Sequence, residues 1–133
     1  MQTNGSVLHI LWSGGIGGKE RALYQLIRSQ MQWSKYRPAI AFGRSDGPYV
    51  SAFKELQCPV VELSLGSGLD LVSLPRAKRL LSPFDCHHFH SMDVPVLLAS
   101  SMSEGTVRVF THRSGASQAS FKKRLRNAVA SWL

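Results

Sequence analysis

Nine residues near the start, Ser13-Gly14-Gly15-Ile16-Gly17-Gly18-Lys19-Glu20-Arg21, carry the clearest chemical signal in this chain of 133. The glycines stand between an apolar run, Val7 to Trp12, and a run from Glu20 to Met31 with leucine-type residues at helical spacing. Glycine lets another molecule approach the backbone closely. A glycine loop that opens a helix presents unbonded N–H groups and the positive end of the helix dipole, a setting that favours phosphate or carboxylate. The spacing departs from the two best-known phosphate loops. A Walker loop needs glycine five residues before the Gly-Lys pair and Ser or Thr after it; Ser13 and Glu20 occupy those places. Counted from Gly15, the dinucleotide fingerprint has Glu20 where its third glycine belongs. The plain alternative is a tight strand-to-helix turn with no ligand, but four glycines within Gly14 to Gly18 exceed what a turn alone requires.

A second cluster is Asp85-Cys86-His87-His88-Phe89-His90. In a strand His88 and His90 share one face and His87 takes the other. Asp85 and Cys86 lie at the opposite end of that strand. Two imidazoles fall short of the three or four convergent ligands that a transition metal requires. We therefore expect no metal, and read His88 and His90 as polar contacts for substrate hydroxyls or phosphates. His112, within Thr111-His112-Arg113-Ser114-Gly115, follows the last strand-like run. His9, in the middle of the first strand, reads as a core or helix-facing residue.

These groups meet only if the chain folds in a particular order. Strand-like runs fall at Val7 to Trp12, Pro38 to Phe42, Val60 to Leu65, Phe84 to His90 and Val107 to Thr111. Between them lie helical patterns: Leu23, Leu26, Ile27 and Met31; Val50, Phe53 and Leu56 after Asp46-Gly47-Pro48; Asp70 to Leu81 with Pro75 near its start; and Val94 to Met102 with Pro95. A last helix, Gln118 to Leu133, has Phe121, Leu125, Val129 and Trp132 on one stripe. Strand and helix alternate five times. Right-handed crossovers then build a doubly wound, Rossmann-like parallel sheet with helices on both faces and strand order 3-2-1-4-5. In that order strands 1 and 4 are neighbours at the switch point, where such sheets bind ligands beyond the carboxyl ends of their strands. The fold thus predicts that the glycines and histidines gather at one edge.

Composition narrows the partners. The length suits one domain, and no stretch approaches the ~20 apolar residues of a membrane span. Met1 to Ser6 lacks the basic and apolar regions of a signal peptide. Cys58 and Cys86 fall in expected strands and read as small buried hydrophobes in a reducing cytoplasm. The net charge of +8 is concentrated at Arg76, Lys78 and Arg79 and at Lys122, Lys123, Arg124 and Arg126. These are either solvated helix faces or surfaces for an anionic membrane or a phosphate-bearing ligand. Aromatic residues are not interleaved with the charges, which argues against single-stranded nucleic acid.

Taken in order, four landmarks resemble the N-terminal domain of a family 4, B-type glycosyltransferase: the strand leading into Gly17-Gly18-Lys19-Glu20, the helix and strand ending in Pro59-Val60-Val61-Glu62-Leu63, Asp85-Cys86-His87-His88-Phe89-His90, and Thr111-His112-Arg113-Ser114-Gly115. His87 stands where that family has an apolar residue. The resemblance covers nearly the whole chain. It implies an acceptor-binding half of a two-domain enzyme that moves a sugar, with retention and without a metal or other cofactor, from a nucleotide-sugar donor to a glycan or lipid-linked acceptor. It further implies a donor-binding C-terminal domain, expected to lie outside this stretch and to be supplied in cis or as a separate chain; the isolated chain is then expected to be inactive. By position, Gly14, Gly15, Gly17 and Gly18 would form the donor diphosphate loop. His112 would be the catalytic group. Lys19, Glu20, His88, His90 and Arg113 would line the acceptor side. The resemblance also implies work in the cytoplasm, peripheral at the inner membrane face. Two readings from other classes stand beside it: a non-catalytic doubly wound module that binds a nucleotide or phosphate, and a basic nucleic-acid-binding protein.

Overall fold

A strand buried on both faces of a parallel sheet has no solvent side, so it needs apolar residues pointing both ways. β1 (Ser6–Leu11) meets that need with Leu8 and Ile10 on one face and Leu11 on the other, all buried. The computed structural model describes residues 5–33 and 35–111. Along these run α1 (Gly18–Trp33), β2 (Arg37–Phe42), α2 (Pro48–Glu55), β3 (Val60–Glu62), α3 (Leu74–Leu81), β4 (Cys86–Phe89), α4 (Val94–Ser101) and β5 (Val107–Phe110). Every strand pair is parallel and the order is β3-β2-β1-β4-β5. This is the doubly wound α/β arrangement expected from the alternation of periods.

Two cores flank the sheet. Leu11, Ile40 and Phe42 pack with Leu23 and Ile27 of α1 and with Val50 and Phe53 of α2. On the other face Leu8, Ile10, Ala41 and Phe89 pack with Ala77 and Leu81 of α3 and with Val96, Leu97 and Ala99 of α4. Three helices carry proline in their first positions, Pro48, Pro75 and Pro95, where the missing N–H is no loss.

The structure corrects several local expectations. In α1 only Leu23 and Ile27 are buried; Leu26 and Met31 are exposed, and Gln30 turns toward the sheet instead. α3 begins at Leu74 and not Asp70, because the Asp70 carboxylate closes a turn ahead of it. That carboxylate accepts from the Gly66 N–H at 2.9 Å, and from the Ser73 N–H and hydroxyl at 3.1 and 2.8 Å. β3 ends at Glu62, although Leu63 and Leu65 still donate backbone bonds to Phe42 and Gly43; Ser64 between them has a left-handed φ of 55°. Cys58 lies in the loop before β3, not in a strand, and burial pushes its thiol up to about 12. Cys86 opens β4, and both thiols are free. The expected helix from Gln118 to Leu133, with its basic cluster, lies outside the described residues.

Backbone hydrogen bonds join the loops after β1 and β2. The Gly14 N–H donates to Asp46 O at 2.8 Å, and the Tyr49 N–H donates to Gly14 O at 2.9 Å. Gly47 has a φ of +97°, and a Cβ there would lie 2.3 Å from Gly14 carbonyl atoms. A Cβ on Gly14 would sit 2.8 Å from the Val50 nitrogen. Gly47→Ala therefore combines a glycine-only backbone with a backbone collision and should destabilise the fold by about 3 kcal/mol or more. Gly18→Ala meets nothing within 4 Å and should stay within about 1 kcal/mol of the parent. Urea midpoints measure both; a Gly47→Ala protein as stable as the parent would refute the interlock.

Candidate functional site at the carboxyl edge of the sheet

Because all strands are parallel, the loops after β1 and β4 leave the same edge, and β1 and β4 are adjacent there. The glycine loop is divided in two by its surroundings. Gly14 is buried under the Asp46–Val50 segment, so its N–H belongs to the fold and not to a ligand. Ile16, Gly17, Gly18 and Lys19 are exposed. The Arg21 N–H makes the first helical bond, to Gly17 O at 3.2 Å. The N–H groups of Gly18, Lys19 and Glu20 precede it, in the part of a helix that has no intrahelical acceptors. The Glu20 side chain folds back over Gly17: one carboxylate oxygen is 2.6 Å from where a Gly17 Cβ would be. An anionic group thus already stands at the positive end of α1. The arrangement supplies donors for an oxyanion once Glu20 swings aside.

Behind the loop lies a histidine cluster that the sequence showed only in part. His9 pairs in register with His88 across β1 and β4, so the two point to the α1 face. The chain keeps its strand alternation one residue past β4, with the His90 N–H donating to Ile10 O at 3.0 Å, so His90 shares that face. His9 is fully buried. Its Nε2 lies 2.8 Å from Gln30 Oε1 and its Nδ1 lies 3.0 Å from His90 Nε2. The amide oxygen can only accept, so Nε2 carries the proton and Nδ1 is left as the acceptor for His90 Nε2–H. Burial holds His9 down at about 4, opposed by the Gln30 bond and reinforced by the neighbouring His88. His88 is half-buried; its Nε2 is 2.6 Å from Thr111 Oγ1, and burial lowers it too. The His88 and His90 rings are 4.0 Å apart between centroids.

His87 points to the opposite face, as expected, and is built into the core. Its Nε2–H donates to Leu81 O at 2.7 Å, and its Nδ1 is 2.7 Å from Ser100 Oγ. Arg108 closes that network onto Ser100 and Ser103. Burial lowers His87, partly offset by the Leu81 carbonyl, with the Arg108 charge acting in the same direction as burial. Asp85 lies at the far end of the sheet and accepts from the Ser6 N–H at 2.9 Å.

Of the residues expected at the site, Gly15, Gly17, Gly18, Lys19 and Glu20 do stand at this edge. His88 and His90 share a face, but both engage other protein groups. His112 and Arg113 lie outside the described residues. His9 is the buried, helix-facing residue that its place in β1 predicts; its partner Gln30 and the Thr111 hydroxyl beside His88 carry no such signal. The one hint of Gln30 is its place three residues after Ile27 on the buried stripe of α1, where the apolar Met31 had seemed the better fit. In the basic cluster of α3, Arg76 donates to Leu63 O and Ser64 O at 2.8 and 2.9 Å, so it clasps the end of β3. No helix among the described residues is long and apolar enough to cross a membrane.

No family model matches the chain, and no curated protein matches it. Among solved structures, HepE from Anabaena, crystallised in complex with UDP and glucose, matches with a TM-score of 0.74 at 15% identity. The match covers 96% of this chain and 36% of that one. At that identity the likeness establishes the fold: a Rossmann-like α/β unit, here spanning about a third of the length of HepE.

Acid should expose the cost of the buried imidazoles. His9 and His87 are neutral when folded, whereas an unfolded histidine titrates near 6.5. Unfolding therefore takes up protons between pH 6.5 and about 4, and stability falls as pH falls through that window. His9 alone accounts for a loss of about 3 kcal/mol. Urea denaturation at pH 7, 5.5 and 4 should show it, and His9→Gln should flatten the profile. A parent and a variant with equal slopes would remove His9 from the effect.

Proposed function

We propose that this chain is the acceptor-side domain of a nucleotide-sugar-dependent glycosyltransferase of the B type, retaining and family 4-like. The observation that carries the reading is the switch-point loop: exposed glycine backbone at the start of α1, in a fold shared with a protein crystallised with UDP and glucose. Gly15, Gly17 and Gly18 bring N–H groups to the donor diphosphate when a second domain closes over the edge. Lys19 adds charge beside them. Gly14 fixes the root of the loop. His88 and His90 form a polar floor beneath the acceptor, while His112 and Arg113, the residues after Thr111, meet the reacting sugar and the acceptor. His112 stabilises charge that develops as the glycosidic bond to the diphosphate breaks. The acceptor is a glycan or lipid-linked sugar, and basic residues of the chain bring it to an anionic membrane surface at the cytoplasmic side. The transfer itself draws on no metal.

A non-catalytic phosphate-binding module is the second reading, favoured by one observation: the exposed start of α1, with its unbonded N–H groups, is built entirely from residues of this one domain. Amide NMR of the full chain with millimolar UDP-glucose, UDP or pyrophosphate tests the site common to both. Shifts should concentrate on residues 13–20. Shifts elsewhere, or none, would sink both readings. Glu20→Gln removes the competing carboxylate and should tighten pyrophosphate binding about two- to fivefold. Transfer separates the two readings. With the donor-binding domain present, His112→Ala should lower turnover about a hundredfold while the fold stays intact; unchanged turnover would remove His112 from the mechanism.

A further inference from the structure

The reason for expecting no metal was the lack of a third ligand, and the fold supplies one. His9, His88 and His90 each bring a ring nitrogen to within 4.8 Å of the other two. His9 Nδ1 and His90 Nε2 are 3.0 Å apart, close to the ~3.3 Å between two nitrogens on a tetrahedral ion with bonds of 2.0–2.1 Å. We propose that these three histidines bind one divalent transition-metal ion of the zinc class, with a fourth position left to water.

Three further features fit an ion better than an incidental stack of rings. Gln30 Oε1 accepts from His9 Nε2 at 2.8 Å, the outer partner that metal-bound histidines keep to fix the tautomer and aim the lone pair. Thr111 Oγ1, 2.6 Å from His88 Nε2, holds the second ring in the same way. The ligands come from β1, β4 and the residue after β4, with His9 and His90 hydrogen-bonded to each other and His9 held by α1, so the fold itself brings the three rings together. On binding, His90 changes tautomer, its proton passing from Nε2 to Nδ1 by exchange with solvent so that the ring stays neutral, and the His9–His90 hydrogen bond is replaced by two nitrogen–metal bonds. Imidazole donors with no carboxylate in the set select zinc, nickel or copper over magnesium or calcium. The inference does not rest on the glycosyltransferase reading, and the ion would tie β1 and β4 beneath the loop without entering the transfer.

The experiment uses the full chain, stripped with chelator and titrated with Zn²⁺ against a competing indicator dye, and separately with Co²⁺. One ion per chain is expected, with visible cobalt d–d absorption typical of four or five ligands. His90→Gln and His88→Asn should each weaken zinc at least a hundredfold. Gln30→Leu should weaken it ten- to a hundredfold. Circular dichroism establishes that each variant is folded, and the half-exposed His88 supplies the second variant if the buried His90 does not tolerate change. Stoichiometry well below one at micromolar protein would overturn the proposal. So would folded His88→Asn and Gln30→Leu proteins that bind zinc as tightly as the parent, since the ion would then sit elsewhere.

Discussion

The central strand imposes the constraint on which the rest depends. β1 lies between β2 and β4 with packed helices above and below, so a polar side chain in its middle must be satisfied from within the protein. His9 is such a side chain. One of its nitrogens requires an acceptor from α1 and the other a donor from β4, and Gln30 and His90 meet those needs. The strand order, the rotation of α1 about its axis and the continuation of β4 past Phe89 are thereby tied together by two hydrogen bonds. Register does the same on the other face, where His87 sits beside Leu8 and binds across to Leu81 and Ser100.

The fold was legible because its signals are periodic and sequential. Five alternations of strand and helix spacing, with short connections, leave few topologies once crossovers must be right-handed. The glycine loop and the histidines at the end of β4 could be placed on one edge by that reasoning alone. What escaped was set by side-chain partners far apart in sequence. Gln30 and Met31 fit the stripe of α1 equally well by angle, and the apolar one seemed the natural choice; only the buried His9 opposite reverses that preference. Asp70 carries a helix-start composition, yet its carboxylate is spent on Gly66 and Ser73 in a turn. Arg76 looks like one member of a charged surface, whereas its guanidinium reaches the carbonyls that β3 leaves behind.

The two groups of residues that drew attention in the sequence do different work. The loop offers backbone donors outward, and the histidines turn inward onto one another and onto α1. Gly14 and Gly47 show the same division among glycines: these two permit backbones to touch, while Gly18 leaves space free and Gly17 meets only the end of the Glu20 side chain. Residue type alone did not separate the two uses. The neighbour across the gap did, and that neighbour is the loop after β2.

That neighbour has a thermodynamic consequence. Ordering one residue of backbone costs about 1–2 kcal/mol in conformational entropy. Because Gly14 is pinned at both its N–H and its carbonyl by the Asp46–Tyr49 segment, and α1 begins at Gly18, only three residues, Gly15 to Gly17, lie between the two fixed points. Most of the entropic cost of shaping this edge is met when the protein folds. The stiffness of the exposed turn is therefore set by a segment on the neighbouring loop. A change in the length of the β2–α2 connection would loosen that turn without altering any residue in it.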